Sequence, residues 1–443
     1  MPSRRIALAI LLLATALTPA HAQSPAGKVT VVTSFSKDLT DPFKKAFEKA
    51  TPGVTLDVQN RNTTAGVKYL EETKAAPQAD LFWASAPDAF EVLKAKGLLQ
   101  AYKPAATGIP EKIGAYPVND PQGFYFGFAA SGYGIMWNTR YTEANKLPVP
   151  KEWADLAKPE YFDHVAIAAP SRSGTTHLTI ETILQGEGWE KGWRTLKEMS
   201  GNMRQVTDRS FGVPDGVNSG QFGYGVVIDF FAFAAEAAGF PVKFVYPSVT
   251  TIVPANVGIV ANAPNAGAAK AFVEFLLSGP GQELLLDPKV RRLPVNPAIY
   301  AKAPKDYPNP FTNPSLGAKV TFDSTLSSKR SATVSALFDQ VITFELEGLK
   351  AATKAIHAAE AALAKKDDAK ARALVKEARD LVAAVPVGET EAASVDVAAA
   401  FSPGADKKPS ARQAELEQRW AGFAKSRHAD AKAKAEEALK LAK

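Results

Sequence analysis

From Lys28 to about Val260, short apolar runs alternate with amphipathic stretches. Val29–Thr33, Val54–Val58, Asp80–Ala84, Tyr133–Trp137, Ala166–Ala169 and Val226–Ile228 read as strands. The stretches between them read as helices. One opens at Asp41-Pro42, with Asp as cap and Pro at the first helical position. Others cover Thr63–Lys74, the residues after Pro87 up to Lys96 with a stop at Gly97, and Thr179–Gln185. Repeated strand–helix units predict parallel sheet with helices on both faces, and in such sheets ligands sit beyond the carboxyl ends of strands. Ser34, Ser36 and Ser85 occupy such ends. Two units of this kind favour a ligand held between them.

The texture then changes. Proline is frequent from Ala301 to Leu316, which reads as a linker or wrapping segment. From about Arg330 the chain is rich in Ala, Lys and Glu. Val334, Leu337, Val341, Leu349, Ala352, Ile356, Ala359 and Leu363 recur at helical spacing, and Ala371, Leu374, Ala378 and Leu381 form a second stripe. Pro386–Pro409 reads as a linker, and Leu416, Trp420 and Phe423 begin a last helix. These stripes either pack on the body of the protein or form an interaction arm.

At the N-terminus, Arg4 and Arg5 precede an apolar run, Ile6–Leu17, and Ala20-x-Ala22 fits a cleavage site before Gln23. Residues 1–22 are therefore expected to be a signal peptide, too short to span a bilayer, which needs about 20 apolar residues. Cysteine is absent, which excludes a lipid-modified cysteine, disulfides and thiolate metal sites. A freely soluble periplasmic protein with no membrane insertion after signal removal is expected. The formal charge of +6 falls by two, to +4, when Arg4 and Arg5 leave. The charges are interspersed and no basic tract interleaves with aromatics, so nucleic acid is not an expected partner.

The candidate chemistry gathers in Ser171-Arg172-Ser173-Gly174-Thr175-Thr176-His177, a polar turn from a strand into a helix N-terminus. Exposed amides at such a point bind anions, with the helix dipole adding to the attraction. Ser and Thr are also favoured there simply as caps. Arg209 fits a phosphate with its planar fork, or pairs with Asp208 or Asp215. His177 donates to an anion when protonated, or is a buried structural imidazole. Asp229 accepts from ligand hydroxyls, or caps a helix. Catalysis finds little footing. There is no nucleophile elbow and no phosphate-binding P-loop. Ser173 and His177 have no placed carboxylate that would make them a triad. No cofactor and no metal are called for.

Val29–Ser36, Ala79–Ala89, Gly132–Asn138 and Arg209–Gly216, the last running on into Gly225–Phe231, resemble the extracellular solute-binding proteins of ABC transporters over about residues 28–300. One branch of that family binds ferric ion through two adjacent tyrosines, which fall at Phe230 and Phe231 here; phenyl rings carry no ligating oxygen. The sequence is more similar to the organophosphate branch. The resemblance implies an α/β, two-lobed periplasmic-binding-protein fold (type II-like) with an α-helical C-terminal extension. The expected divisions are residues 27–125 with 250–310, residues 126–249, and residues 311–443. It implies that hinge closure captures a small anionic organophosphate, of phosphoglycerate or sugar-phosphate type, for an ABC permease or a membrane sensor complex. The expected ligand-binding set is Ser34, Ser36, Ser85, Arg172, Ser173, Gly174, Thr175, Thr176, His177, Arg209 and Asp229. A ferric-ion binder and a periplasmic hydrolase are the alternatives.

Overall fold

The computed structural model describes residues 25–114, 116–305, 307–313, 316, 320–401 and 409–443, so the expected signal segment lies outside it. The first strand, Gly27–Thr33, is rich in Val and Thr and is buried from Val29 onward. It pairs in parallel with Val54–Asn60 on one side and Leu81–Ala84 on the other. β-branched residues suit such a strand, covered on both faces. The sheet continues in the order Ile252–Val260, Phe126–Asn138, Tyr224–Ile228, Val165–Ala168, Met203–Thr207. The fold is thus mixed α/β and two-lobed.

One strand belongs to both lobes. Phe126–Asn138 is longer than the expected Tyr133–Trp137. Its residues up to Gly132 pair with Ile252–Val257, whereas Tyr133–Trp137 pair with Tyr224–Ile228. The change of partner falls at Gly132–Tyr133. There the Thr250 hydroxyl donates to the Tyr133 carbonyl at 2.7 Å.

Two helix starts differ from expectation. The first helix spans Lys37–Ala50, with Ser36 as its cap and Pro42 inside it. The helix thus begins earlier than Asp41, and Pro42, its sixth residue, costs it the amide that would have bonded the Asp38 carbonyl. The helix expected at Thr179–Gln185 spans Gly174–Glu187, because Ser173 caps it by accepting from the Thr176 amide at 3.1 Å.

The C-terminal stripes pack on the body. Helices Leu346–Leu363, Ala369–Ala383 and Ala411–Leu441 lie against one another and against Trp189–Ser200. Trp189, Trp193, Leu349, Ile356, Ala378, Leu416 and Trp420 share one core. Polar contacts cross the same boundary: Trp189 Nε1 donates to the Val387 carbonyl at 3.0 Å, and Lys197 Nζ to that of Ala384 at 2.9 Å. Phe423 is not part of this core; the last helix instead presents Leu416, Trp420, Ala424, Ala431, Ala435 and Ala438. The expected linker Pro386–Pro409 holds two short helices, Glu389–Ala392 and Val395–Ala400, and its residues 402–408 lie outside the described ones. The extension is therefore a brace rather than a free arm. A chain ending at Phe322 would uncover the faces of Trp189 and Trp193, and is expected to aggregate or lose fixed packing. Soluble yield and near-ultraviolet circular dichroism check this; a monodisperse truncated protein with the parent's aromatic signal would contradict it.

Candidate functional site

Loops from both lobes converge on a cleft. Ser34, Phe35 and Ser36 come from the end of the first strand, Ser85 from the end of Leu81–Ala84, and Asn62 and Thr63 from the start of helix Thr63–Glu72. The other wall is Arg172–Thr175, Arg209–Phe211 and the pair Phe230–Phe231. Three helices, Lys37–Ala50, Thr63–Glu72 and Gly174–Glu187, begin at the cleft, two on the first wall and one on the second. Each brings amides with no intrahelical acceptor and the positive end of its dipole. Ser36 makes no side-chain cap bond, which leaves its hydroxyl available. Asn62 and Ser173 do cap, accepting from the Ala65 and Thr176 amides.

Arg292 is the residue that sequence reasoning missed. The Leu293–Pro294 strand pairs with Ala129–Ala130 of the central strand, and the Tyr307 hydroxyl donates to the Arg292 carbonyl at 2.7 Å. This segment drives the Arg292 side chain into the floor of the cleft, where the residue is 1% exposed. The guanidinium sits 3.7 Å from the Phe230 ring centroid and 4.5 Å from that of Phe35. One nitrogen, Nη1, donates to Ser85 Oγ at 2.9 Å, while Nε and Nη2 have no partner. Burial pulls its pKa down to about 9, with nearby Asp229 opposing the shift. A buried cation with two unpartnered donors in a cleft wall marks a candidate anion site, since unpaired buried charge is costly. The sequence signal was a charged pair, Arg291-Arg292, inside the apolar run Val290–Val295.

Arg209 reaches across the cleft, its Nη2 donating to Asn60 Oδ1 at 3.1 Å and its guanidinium lying over the Phe211 ring. Burial lowers its pKa. Arg172 pairs with Asp208 at 2.7 Å in an exposed position. The lobes touch at Gly174, where an added Cβ would stand 2.9 Å from both Ala86 Cβ and Thr63 Oγ1. The Thr64 hydroxyl also donates across the gap to the Ser171 carbonyl at 3.0 Å. This is a closed arrangement. Gly174 is needed for the close approach, and its φ is not positive.

Ser34, Ser36, Ser85, Arg172, Ser173, Gly174, Thr175 and Arg209 line the cleft, whereas Thr176, His177 and Asp229 do not. Thr176 is buried and donates to Ser173 Oγ at 3.0 Å. His177 is buried against Asp88, Ser327 and Ser335. Asp229 is fully buried and its oxygens are taken: Oδ2 accepts from the Gly132 amide at 2.7 Å and the Tyr246 hydroxyl at 2.8 Å, and Oδ1 from the Phe230 amide at 2.7 Å. Burial pushes its carboxyl up to about 6 against those bonds and Arg292. It fastens the helix to the strand where that strand changes partner, and its full burial keeps it from a ligand hydroxyl.

A family model described as bacterial extracellular solute-binding protein matches residues 76–314. The phosphoglycerate transport regulatory protein PgtC of Salmonella typhimurium is 32% identical over 370 residues, covering 82% of this chain and 87% of that protein. Among solved structures, the periplasmic binding protein AfuA of Actinobacillus pleuropneumoniae, determined with fructose 6-phosphate, superposes with a TM-score of 0.61 at 21% identity, over 73% of this chain and 96% of its own. Apo ferric ion-binding protein A of Pasteurella haemolytica superposes with a TM-score of 0.57 at 18% identity, over 71% and 98%. The two structural likenesses speak to the fold.

Proposed function

This chain belongs to the family of bacterial extracellular solute-binding proteins, and on that premise we propose that it binds a small phosphorylated metabolite in the periplasm. The observation that carries this reading is Arg292, a buried cleft-lining residue that lies against two phenyl rings and holds two unpartnered donors. Arg172, Arg209 and the amides of three helix starts add positive potential around it. A phosphoryl group offers three acceptor oxygens and matches the guanidinium fork. Seryl and threonyl hydroxyls on both walls suit the polar remainder of the ligand. The metabolite is of the phosphoglycerate or sugar-phosphate type, in keeping with PgtC and AfuA. The chain acts as a carrier rather than an enzyme and delivers its cargo to an ABC permease or a sensor complex.

No Tyr, His, Asp or Glu is among the described residues lining the cleft. Ferric ion prefers such oxygen and imidazole ligands, and three arginines would repel it. We place the hinge at Gly132–Tyr133 and Thr250–Ile252. The lobes are then residues 27–125 with 250–310 and residues 126–249, with residues 126–132 siding with the first lobe by their pairing. Residues 311–443 form the brace.

A thermal-shift panel in chelator tests the ligand class. With 3-phosphoglycerate or fructose 6-phosphate at 100 times the dissociation constant, stabilisation should reach about 2.7 kcal/mol. Glycerate and fructose should do much less. Stabilisation by ferric citrate alone would overturn the reading. A second expectation concerns closure. Gly174→Val should cost binding about 1–3 kcal/mol through overpacking against Thr63 and Ala86, tenfold for each 1.4 kcal/mol. Calorimetric titration checks it, and parent-like affinity in folded Gly174→Val would show that the lobes need not meet there.

A further inference from the structure

Away from the cleft, a buried polar cluster joins three parts of the chain. Asp88 lies in the first turn of helix Pro87–Ala95 of the first lobe. His177 lies on helix Gly174–Glu187 of the second lobe, and Ser327 on helix Ser324–Phe338 of the brace. Their exposures are 4%, 2% and 0%. His177 Nε2 stands 3.2 Å from Asp88 Oδ2 and 3.2 Å from Ser327 Oγ, while Ser327 Oγ donates to the same Asp88 oxygen at 3.2 Å. Ser335, about two turns further along the brace helix, meets His177 Nδ1 at 3.4 Å. The second Asp88 oxygen, Oδ1, is buried without a partner. The helix that carries His177 is the one whose first residues form the cleft wall and touch Thr63 and Ala86.

We propose that Asp88, His177 and Ser327 are positioning residues that hold the cleft closed, with the brace supplying the third member of the lock. The proposal rests on the ligand reading above for its purpose, but not for its physics. When the lobes separate, Asp88 withdraws from His177, and the imidazolium loses its counter-charge. Closing brings an under-satisfied carboxylate against the ring, so the closed form is the one that holds the proton.

The groups facing His177 are few. Asp88 faces it from the first lobe, Glu181 from its own helix, and Arg330 from the brace, where it is already paired with Glu181 and Glu389. Burial lowers the imidazole pKa, but Asp88 and Glu181 outweigh burial and Arg330, and the net shift is upward. A raised value in the closed form means that closure takes up a proton. The lock is strongest below the ordinary imidazole pKa of about 6.5 and weakens as pH rises through the raised value.

The chain has no cysteine, so a dye pair is placed cleanly by Lys68→Cys on the first lobe and Lys191→Cys on the second, both exposed positions. Energy transfer in the ligand-free protein should rise as pH falls from about 8 to about 5.5, the range in which an imidazole titrates. Ser327→Ala and Asp88→Asn should flatten that response. Ser327→Ala removes a single hydroxyl and should also weaken 3-phosphoglycerate about two- to tenfold, as expected for one hydrogen bond. A pH-independent distance in the parent would overturn the proposal, as would a parent-like pH response in both folded variants. If the ligand reading alone is wrong, 3-phosphoglycerate leaves the distance unchanged while the pH response persists.

Discussion

Arg292→Met is expected to abolish measurable ligand binding while raising the melting temperature of the empty protein. In the parent, the guanidinium is buried with Nε and Nη2 unpartnered, a standing cost in the ligand-free state. A phosphate would satisfy both donors. Each hydrogen bond to a charged group contributes about 1.5–3 kcal/mol, so two such bonds amount to a loss of at least a hundredfold in affinity. Methionine keeps the apolar stem against Phe35 and Phe230 without the charge, and so removes the desolvation cost of an unpaired buried cation. The gain is partly offset at Asp229, which loses a favourable cation and should titrate above its present value of about 6. Titration calorimetry and thermal melts of the empty protein check the two halves together. A variant that binds like the parent, or one that melts lower without ligand, would refute the assignment.

Arg330→Met should be the most destabilising single substitution in the brace. Arg330 and Glu181 are both fully buried, with Nε 3.0 Å from Oε1 and Nη2 2.9 Å from Oε2. The guanidinium also lies over the Trp189 ring, and Nη1 reaches the half-exposed Glu389 at 2.7 Å. Removing the cation strands the Glu181 carboxylate in a dry interface, which costs about 3–5 kcal/mol. The Glu389 contact, open to solvent, contributes little. Replacing both members, with Glu181→Leu added, should recover most of the loss, because the expense lies in the unpaired charge. Urea unfolding followed by tryptophan fluorescence measures this. A loss below about 1 kcal/mol in the single variant, or no recovery in the double, would show that the pair is not the clasp between brace and second lobe.

The contrast between what periodicity discloses and what it hides is plain in the brace. Leu349, Ala352, Ile356 and Ala359 recur at helical spacing, and all are buried. Their partners, Trp189 and Trp193, stand well over a hundred residues earlier, so no local pattern tells whether the stripe meets the body or a stranger. The same holds in the cleft. Ser34, Ser36 and Ser85 are placed by a general rule about strand ends. Arg292 obeys no such rule: it lies in a short apolar stretch that pairs with a strand more than 150 residues away. His177 and Asp229 looked like ligand groups because polar residues at helix starts often are. Distant partners claim them instead: Ser327 and Asp88 for the one, Gly132 and Tyr246 for the other. Phe230 and Phe231 stand out in the sequence only for lacking a ligating oxygen, yet Phe230 is the platform on which the buried guanidinium rests.

Arg292 is expected to receive the phosphoryl group of the ligand. A crystal structure of the protein grown with 3-phosphoglycerate in the presence of chelator tests it most directly. The phosphoryl oxygens should lie about 2.7–2.9 Å from Arg292 Nε and Nη2, the range for charge-assisted bonds, with the hydroxyls of Ser34 or Ser36 beside them. A cleft in which the phosphoryl group sits away from Arg292, or is replaced by a metal ion held by other residues, would contradict the account.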